Sequence, residues 1–174
     1  MIVKISDEFV LEAANYSKLS RAHTSDYHDF HEGGLNAKQK KMFEGKIGEK
    51  GIKQFFIDNK IIFEEDRSSH TDADEYDFII SKDDKKYFVD VKTRTKKFHT
   101  RTLEMVKQFH SKKIDIYISV FLMRDNSNFQ IKILGWCNKK DIIKINRIEN
   151  NGYLDNYVLY DKELKDINQL INYL

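Results

Sequence analysis

Hydrophobic positions along this chain recur with two periods, about 3.6 and about 2 residues, and the switches between them divide it into elements. Ile2 to Ile5 predicts a short strand, and Ser6-Asp7-Glu8 opens a helix whose stripe of Phe9, Val10, Ala13 and Ala14 ends near Leu19 or Ser20. A polar stretch, residues 21–34, follows. Asn36 stands where it can cap a long helix from Ala37 to about Asn59, with Met42, Phe43, Ile47, Ile52, Phe55 and Phe56 at helical spacing. Gly45, Gly48 and Gly51 interrupt that helix at regular intervals. Each glycine costs about 1 kcal/mol relative to alanine, so three together point to the close approach of another backbone or a ligand.

The second half is richer in strands. Lys60 to Glu64 reads as a short strand, Glu65 to Glu75 as an acidic loop, and Tyr76–Ile80 and Tyr87–Lys92 as a hairpin joined by Ser81 to Lys86. Leu103, Val106 and Phe109 predict a helix over Thr102 to Lys113. Asp115 to Met123 and Phe129 to Trp136 are strand-like on either side of a turn at Arg124 to Asn128. A short helix over Asn138 to Lys144, a turn at Asn150 to Gly152, a strand over Tyr153 to Tyr160 and a helix from Lys162 to Leu174 complete the chain. The pattern predicts one α/β domain without repeats or proline-rich linkers; the sequence has no proline.

Composition narrows the class. A chain of 174 residues can bury a core without disulfides or a structural metal, and no apolar run approaches the ~20 residues of a membrane span. The first residues carry no signal-peptide pattern. The one cysteine, Cys137, excludes an internal disulfide and suits a reducing, cytoplasmic setting; beside Trp136 in an apolar run it reads as a buried thiol. Net charge is only +2, but it is unevenly spread. From Asp58 to Asp90 there are eleven acids against five bases, and from Lys92 to Lys113 eight bases against one acid, Glu104. An acidic centre running into a basic arm is the layout of a protein that holds cations and phosphates side by side, although two solvated surfaces of opposite sign read the same way. His23, His28 and His31 in the polar stretch match no closed metal-ligand spacing and read as a surface or substrate-facing loop.

The pair Asp90 and Lys92 stands apart. The pattern acid-x-Lys occurs six times, but five copies lie in predicted helices or turns, where charge is the default. Only Tyr87-Phe88-Val89-Asp90-Val91-Lys92 places it inside an apolar strand, where both side chains share one face and a lone charge costs several kcal/mol. If Ile80 pairs with Tyr87, Asp77 lies opposite Asp90, near enough for two carboxylates to share one cation.

A helical Glu49 in Gly48-Glu49-Lys50-Gly51, then Asp77 on one strand, then Asp90-Val91-Lys92-Thr93-Arg94 on the next, then a helix and a strand, resembles the PD-(D/E)xK nuclease superfamily from about Met42 to Met123. Tyr76 stands where that name has its proline. The resemblance implies a restriction endonuclease-like core, a central mixed sheet flanked by helices, over residues 37–123, with an N-terminal helical extension over 1–36 and C-terminal strands and a helix over 124–174. It implies Asp77, Asp90 and the Val91 carbonyl as ligands of Mg²⁺, with Mn²⁺ as a substitute. Glu49 would hold a second ion or its water, and Lys92 the attacking water or the scissile phosphate. Thr93, Arg94, Thr95, Lys96, Lys97 and Arg101 would then track a phosphate backbone. The implied activity is a DNA endonuclease on duplex DNA, restriction-like or of a mobile element, dimeric if it cuts both strands. An RNA or junction nuclease and a non-catalytic nucleic-acid-binding module are the alternatives.

Overall fold

The computed structural model describes residues 1–20, 34–66, 75–125, 128–150 and 154–173. The histidine-bearing stretch lies outside them except for Gly34, as does most of the expected acidic loop. In chain order the elements are β1 (Ile2–Lys4), α1 (Asp7–Leu19), α2 (Gly34–Asp58), β2 (Phe63–Glu65), β3 (Phe78–Lys82), β4 (Lys85–Arg94), β5 (Arg101–Met105), α3 (Val106–Ser111), β6 (Ile116–Asp125), β7 (Asn128–Asn138), α4 (Lys139–Ile145), β8 (Ile148–Asn150), β9 (Asp155–Tyr160) and α5 (Ile167–Tyr173). No helix among the described residues is long and apolar enough to cross a membrane.

The fold is mixed α/β. A six-stranded sheet runs β1-β7-β6-β4-β3-β2, with β4 and β6 parallel and every other neighbouring pair antiparallel. A second sheet of three antiparallel strands runs β5-β9-β8. Alternation along the strands builds a core on each face of the main sheet. On one face Val89, Ile118 and Ile131 pack with Ile47, Ile52, Phe55 and Phe56 of α2 and with Phe9 and Ala13 of α1. On the other, Phe88, Tyr117 and Cys137 pack with Phe109, Ile142 and Tyr157 beneath the second sheet, α3 and α4. Val89 and Val91 belong to the first core and Phe88 to the second, so the period of 2 turns Asp90 and Lys92 toward the second layer.

Expectations change at several points, and the helix expected over Lys162 to Leu174 is α-helical among the described residues only over Ile167–Tyr173, after a 3₁₀ turn at Asp161–Glu163 and a bridge from Lys165 to Trp136. The hairpin is tighter than predicted: Ile80 pairs with Tyr87 as expected, but the ladder continues to Lys82 and Lys85. Asp83 and Asp84 turn the chain with φ of 48° and 59°, left-handed angles that fit the two-residue hairpin turn and that Asp tolerates. The helix predicted over Thr102 to Lys113 is two elements. Arg101 to Met105 pairs with Tyr160 to Asn156 as β5, and only Val106 to Ser111 is helical. The spacing of Leu103, Val106 and Phe109 suits a helix, but Thr102 and Glu104 are buried while Leu103 is exposed, a strand's alternation that the ladder to β9 stabilises. Finally, α2 begins at Gly34, so Asn36 lies inside the helix and is not its cap.

The α2 glycines divide. A Cβ on Gly48 would clash with the Thr93 side chain of β4, and one on Gly51 would lie 2.6 Å from Ile131 Cδ1 of β7, whereas one on Gly45 meets nothing within 4 Å. Two of the three therefore let α2 settle onto the sheet. Gly48→Ala should lower unfolding free energy by about 1 to 3 kcal/mol through overpacking. Gly45→Ala should raise it by up to about 1 kcal/mol through helix propensity alone. Urea unfolding of the two variants measures both, and equal effects would contradict this division.

Candidate active site

Asp77 sits one residue ahead of β3. Its N–H donates to Val89 O at 2.9 Å, and its Oδ2 accepts from Val91 N at 2.6 Å, so the carboxylate is fixed against β4 between Asp90 and Lys92. The expected register holds through the Phe78–Val89 pair. Lys92 Nζ lies 2.8 Å from Asp90 Oδ2 on its own strand. Glu49 stands on α2, beside the Gly48 that admits Thr93, with its Oε2 2.7 Å from Lys46 Nζ. The structure thus gathers Asp77, Asp90 and Lys92 on neighbouring backbone and brings Glu49 close enough for its charge to act on Asp77.

That electrostatic contact is repulsive. Burial, and after it the charges of Glu49 and Asp90, push the Asp77 carboxyl well above the usual range, against the opposing pull of Lys46 and the Val91 N–H. Lys92 moves up as well: burial alone disfavours its charge, but Asp90 and Glu104 together outweigh burial.

Glu104 is the site residue that the sequence pattern did not reveal. Its side chain is 4% exposed, and its Oε2 lies 2.5 Å from Lys92 Nζ, so the ammonium bridges a carboxylate on each sheet. Burial, and the nearby Asp90 charge, raise the Glu104 carboxyl, partly offset by Lys92. Asp90 Oδ2 and Glu104 Oε2 are both buried, and each is held by Lys92 Nζ, at 2.8 and 2.5 Å. Tyr117, paired with Asp90 across β4 and β6, lies under this cluster, its hydroxyl buried without a partner and raised by burial, Glu104 and Asp90. The one usable signal for Glu104 was its place as the single acid in the basic arm. Cys137, as expected, is a buried thiol, pushed up to about 12 by burial.

A groove of about 810 Å³ opens beside the cluster, lined by Lys92 and Thr93 of β4, by Lys40, Lys41 and Glu44 of α2, and by Lys96, Arg101 and Leu103. The residues expected to follow a phosphate backbone differ in role. Thr95, Lys96 and Lys97 are exposed. Thr93 packs against α2, and its hydroxyl donates to Gly45 O at 3.4 Å. Arg101 pairs with Glu149 across the second sheet. Arg94 departs from expectation: it is buried, and its guanidinium donates to Asp161 Oδ1 at 2.6 Å and to His99 O at 2.8 Å. It clamps the basic arm from below, because a buried guanidinium is held where acceptors satisfy it.

As they stand, no three His, Cys, Asp or Glu side chains among the described residues converge closely enough to hold a metal ion. The chemistry of the donors nonetheless fits a hard divalent cation: they are oxygen atoms only, and the charges of Glu49 and Asp90 beside Asp77 are ones that a cation would relieve.

A carboxyl raised above its unfolded value costs stability that grows as pH rises from the unfolded pKa to the folded one. Asp77→Asn keeps an acceptor for Val91 N and removes the repulsion. Its melting temperature in chelator should therefore exceed that of the parent chain at about pH 8, and the difference should close toward about pH 4; a pH-independent difference would contradict the repulsion. Comparison with protein-family models, curated proteins and solved structures finds no match, so the chemistry of this cluster is read from its own residues.

Proposed function

We propose that this chain is a divalent-cation-dependent nuclease of the PD-(D/E)xK kind with a restriction endonuclease-like core, hydrolysing phosphodiester bonds and acting as a DNA endonuclease. The observation that carries the reading is the cluster itself: Asp77 anchored to Val91, with Asp90 and Lys92 on either side, beside a basic groove. Acid-x-Lys inside a half-buried strand, faced by a second acid, is a set of groups that metal-assisted phosphoryl transfer uses directly.

Asp77 and Asp90, with the Val91 carbonyl and Glu49, are the residues that would hold the cation, Mg²⁺ or in its place Mn²⁺. Such an ion supplies a water of lowered pKa and neutralises charge on the leaving oxygen. Lys92 orients the nucleophile and stabilises the charge that develops on phosphate, the task of a preorganised donor. Glu104 lets it do so. With Asp90 engaged by a cation, Glu104 would remain as counter-ion to the half-buried Lys92 ammonium. Lys96 and Lys97, exposed on the arm, carry substrate phosphates. Cutting both strands of a duplex calls for two copies of this one-site chain.

With plasmid DNA and Mg²⁺ or Mn²⁺, nicking or linearisation is expected. Asp90→Ala and Lys92→Ala should each lower the rate by about 100- to 1,000-fold, the cost of losing one preorganised group. Absence of cleavage for DNA and RNA alike, across both metals, would overturn the reading. Glu104→Gln should weaken Mn²⁺ binding, measured calorimetrically, because Lys92 then stays on Asp90; unchanged affinity would remove Glu104 from this role.

A further inference from the structure

The rim of the groove carries a feature that phosphate binding alone does not explain. Among the described phenylalanines Phe98 is the one that is exposed, at 74%. Leaving a phenyl ring in water forgoes burial that packing elsewhere would gain, and a single exposed ring is by itself unremarkable. Phe98, however, lies in the basic arm between two residues that line the groove. Lys96 Nζ stands 5.7 Å from its ring centroid, and the His99 ring meets it edge-on at 4.5 Å.

The arm is also held in place. His99 N–H donates to Lys96 O at 3.1 Å, closing a turn around Phe98. The buried Arg94 donates to His99 O at 2.8 Å and to Arg101 O at 3.3 Å while its other nitrogen is fixed by Asp161. The ring is thus presented from an anchored turn, which lowers the ordering cost of binding. Lys40 and Lys41 of α2 line the same groove; Lys92, Arg94 and Arg101 are engaged by Asp90 and Glu104, by Asp161 and by Glu149, so its exposed cations are Lys40, Lys41 and Lys96, and the pair of Lys40 with Glu44 is a long 3.9 Å.

A duplex offers this surface its phosphates and base edges but no open base face, because its bases are stacked inside. A single strand offers both phosphates and an open base face, the combination that basic grooves with exposed aromatic rings recognise. We infer that the groove takes a single nucleic-acid strand, with its phosphates between Lys40, Lys41 and Lys96 and an unpaired base stacked on Phe98. This rests on the nuclease reading of the adjacent cluster and narrows its substrate to nucleic acid with an unpaired stretch at the site, such as a flap, a junction or a melted duplex.

Binding is measured in EDTA, where no cleavage occurs, by fluorescence anisotropy of labelled oligothymidine and oligouridine of about 16 nucleotides and of a duplex of the same length. Phe98→Ala should weaken single-strand binding about ten-fold and leave duplex binding unchanged, and Phe98→Trp should restore it with quenching of the new indole on binding. Lys40→Ala should weaken single-strand and duplex binding alike and flatten the salt dependence by about one unit of slope. The two oligonucleotides show whether the strand is DNA or RNA. Single-strand affinity unchanged in Phe98→Ala, or an equal loss on duplex, overturns the inference. Cleavage of intact duplex alongside that result would leave the nuclease reading standing. Phe98-dependent single-strand binding in a protein that cleaves nothing would uphold the groove and remove the nuclease.

Discussion

One ammonium joins the two layers of this protein. Lys92 leaves the main sheet on β4 and meets Asp90 on its own strand and Glu104 on β5 of the second sheet, under the buried Tyr117. Breaking a buried pair strands a charge at a cost of several kcal/mol, so β5 is held over the carboxyl end of β4 by chemistry as well as by its ladder to β9. The buried bond between Thr102 and Ser119 hydroxyls, at 2.6 Å, and the Arg94 clamp on Asp161 fix the same junction. The basic arm beside the groove follows from that docking, because Lys96 and Phe98 hang on the segment between β4 and β5 and Arg101 opens β5.

The cluster is an uncomfortable arrangement that the rest of the fold sustains. Glu49 and Asp90 both repel the Asp77 carboxylate, and Asp90 and Glu104 share the single Lys92 ammonium. The apolar cores on the two faces of the sheet hold these groups where they are, with α2 drawn close by Gly48 and Gly51. Repelling charges gathered in one place, inside an otherwise consistent fold, are where function is expected.

Much of this was legible in the residues. The hairpin pairing of Ile80 with Tyr87, the strands on either side of Asp125 and Asn128, and α1 behind its Ser6 cap all follow local period and turn chemistry. The unusual pair Asp90 and Lys92 was visible because a strand of hydrophobes makes a charge conspicuous. The spacing of Leu103, Val106 and Phe109 fits a helix stripe, whereas the alternation of Thr102, Leu103 and Glu104 makes a strand only once β9 is alongside. Glu104 was hidden with it: in a helix it would have faced water, and as a strand residue it faces Lys92.

What the sequence by itself determined is what depends on neighbours in the chain: the elements with clear periods, the same-face placement of Asp90 and Lys92, and the step from acidic centre to basic arm. What only the tertiary structure decided depends on partners far along the chain. Glu49 reaches Asp77 because α2 lies on β4, Arg94 turns inward because Asp161 waits there, and Glu104 enters the site because β9 makes its segment a strand. The physical reason is the same in each case. A charged side chain's role is set by whether it is desolvated and by what charge it meets, and neither is fixed until the layers have packed.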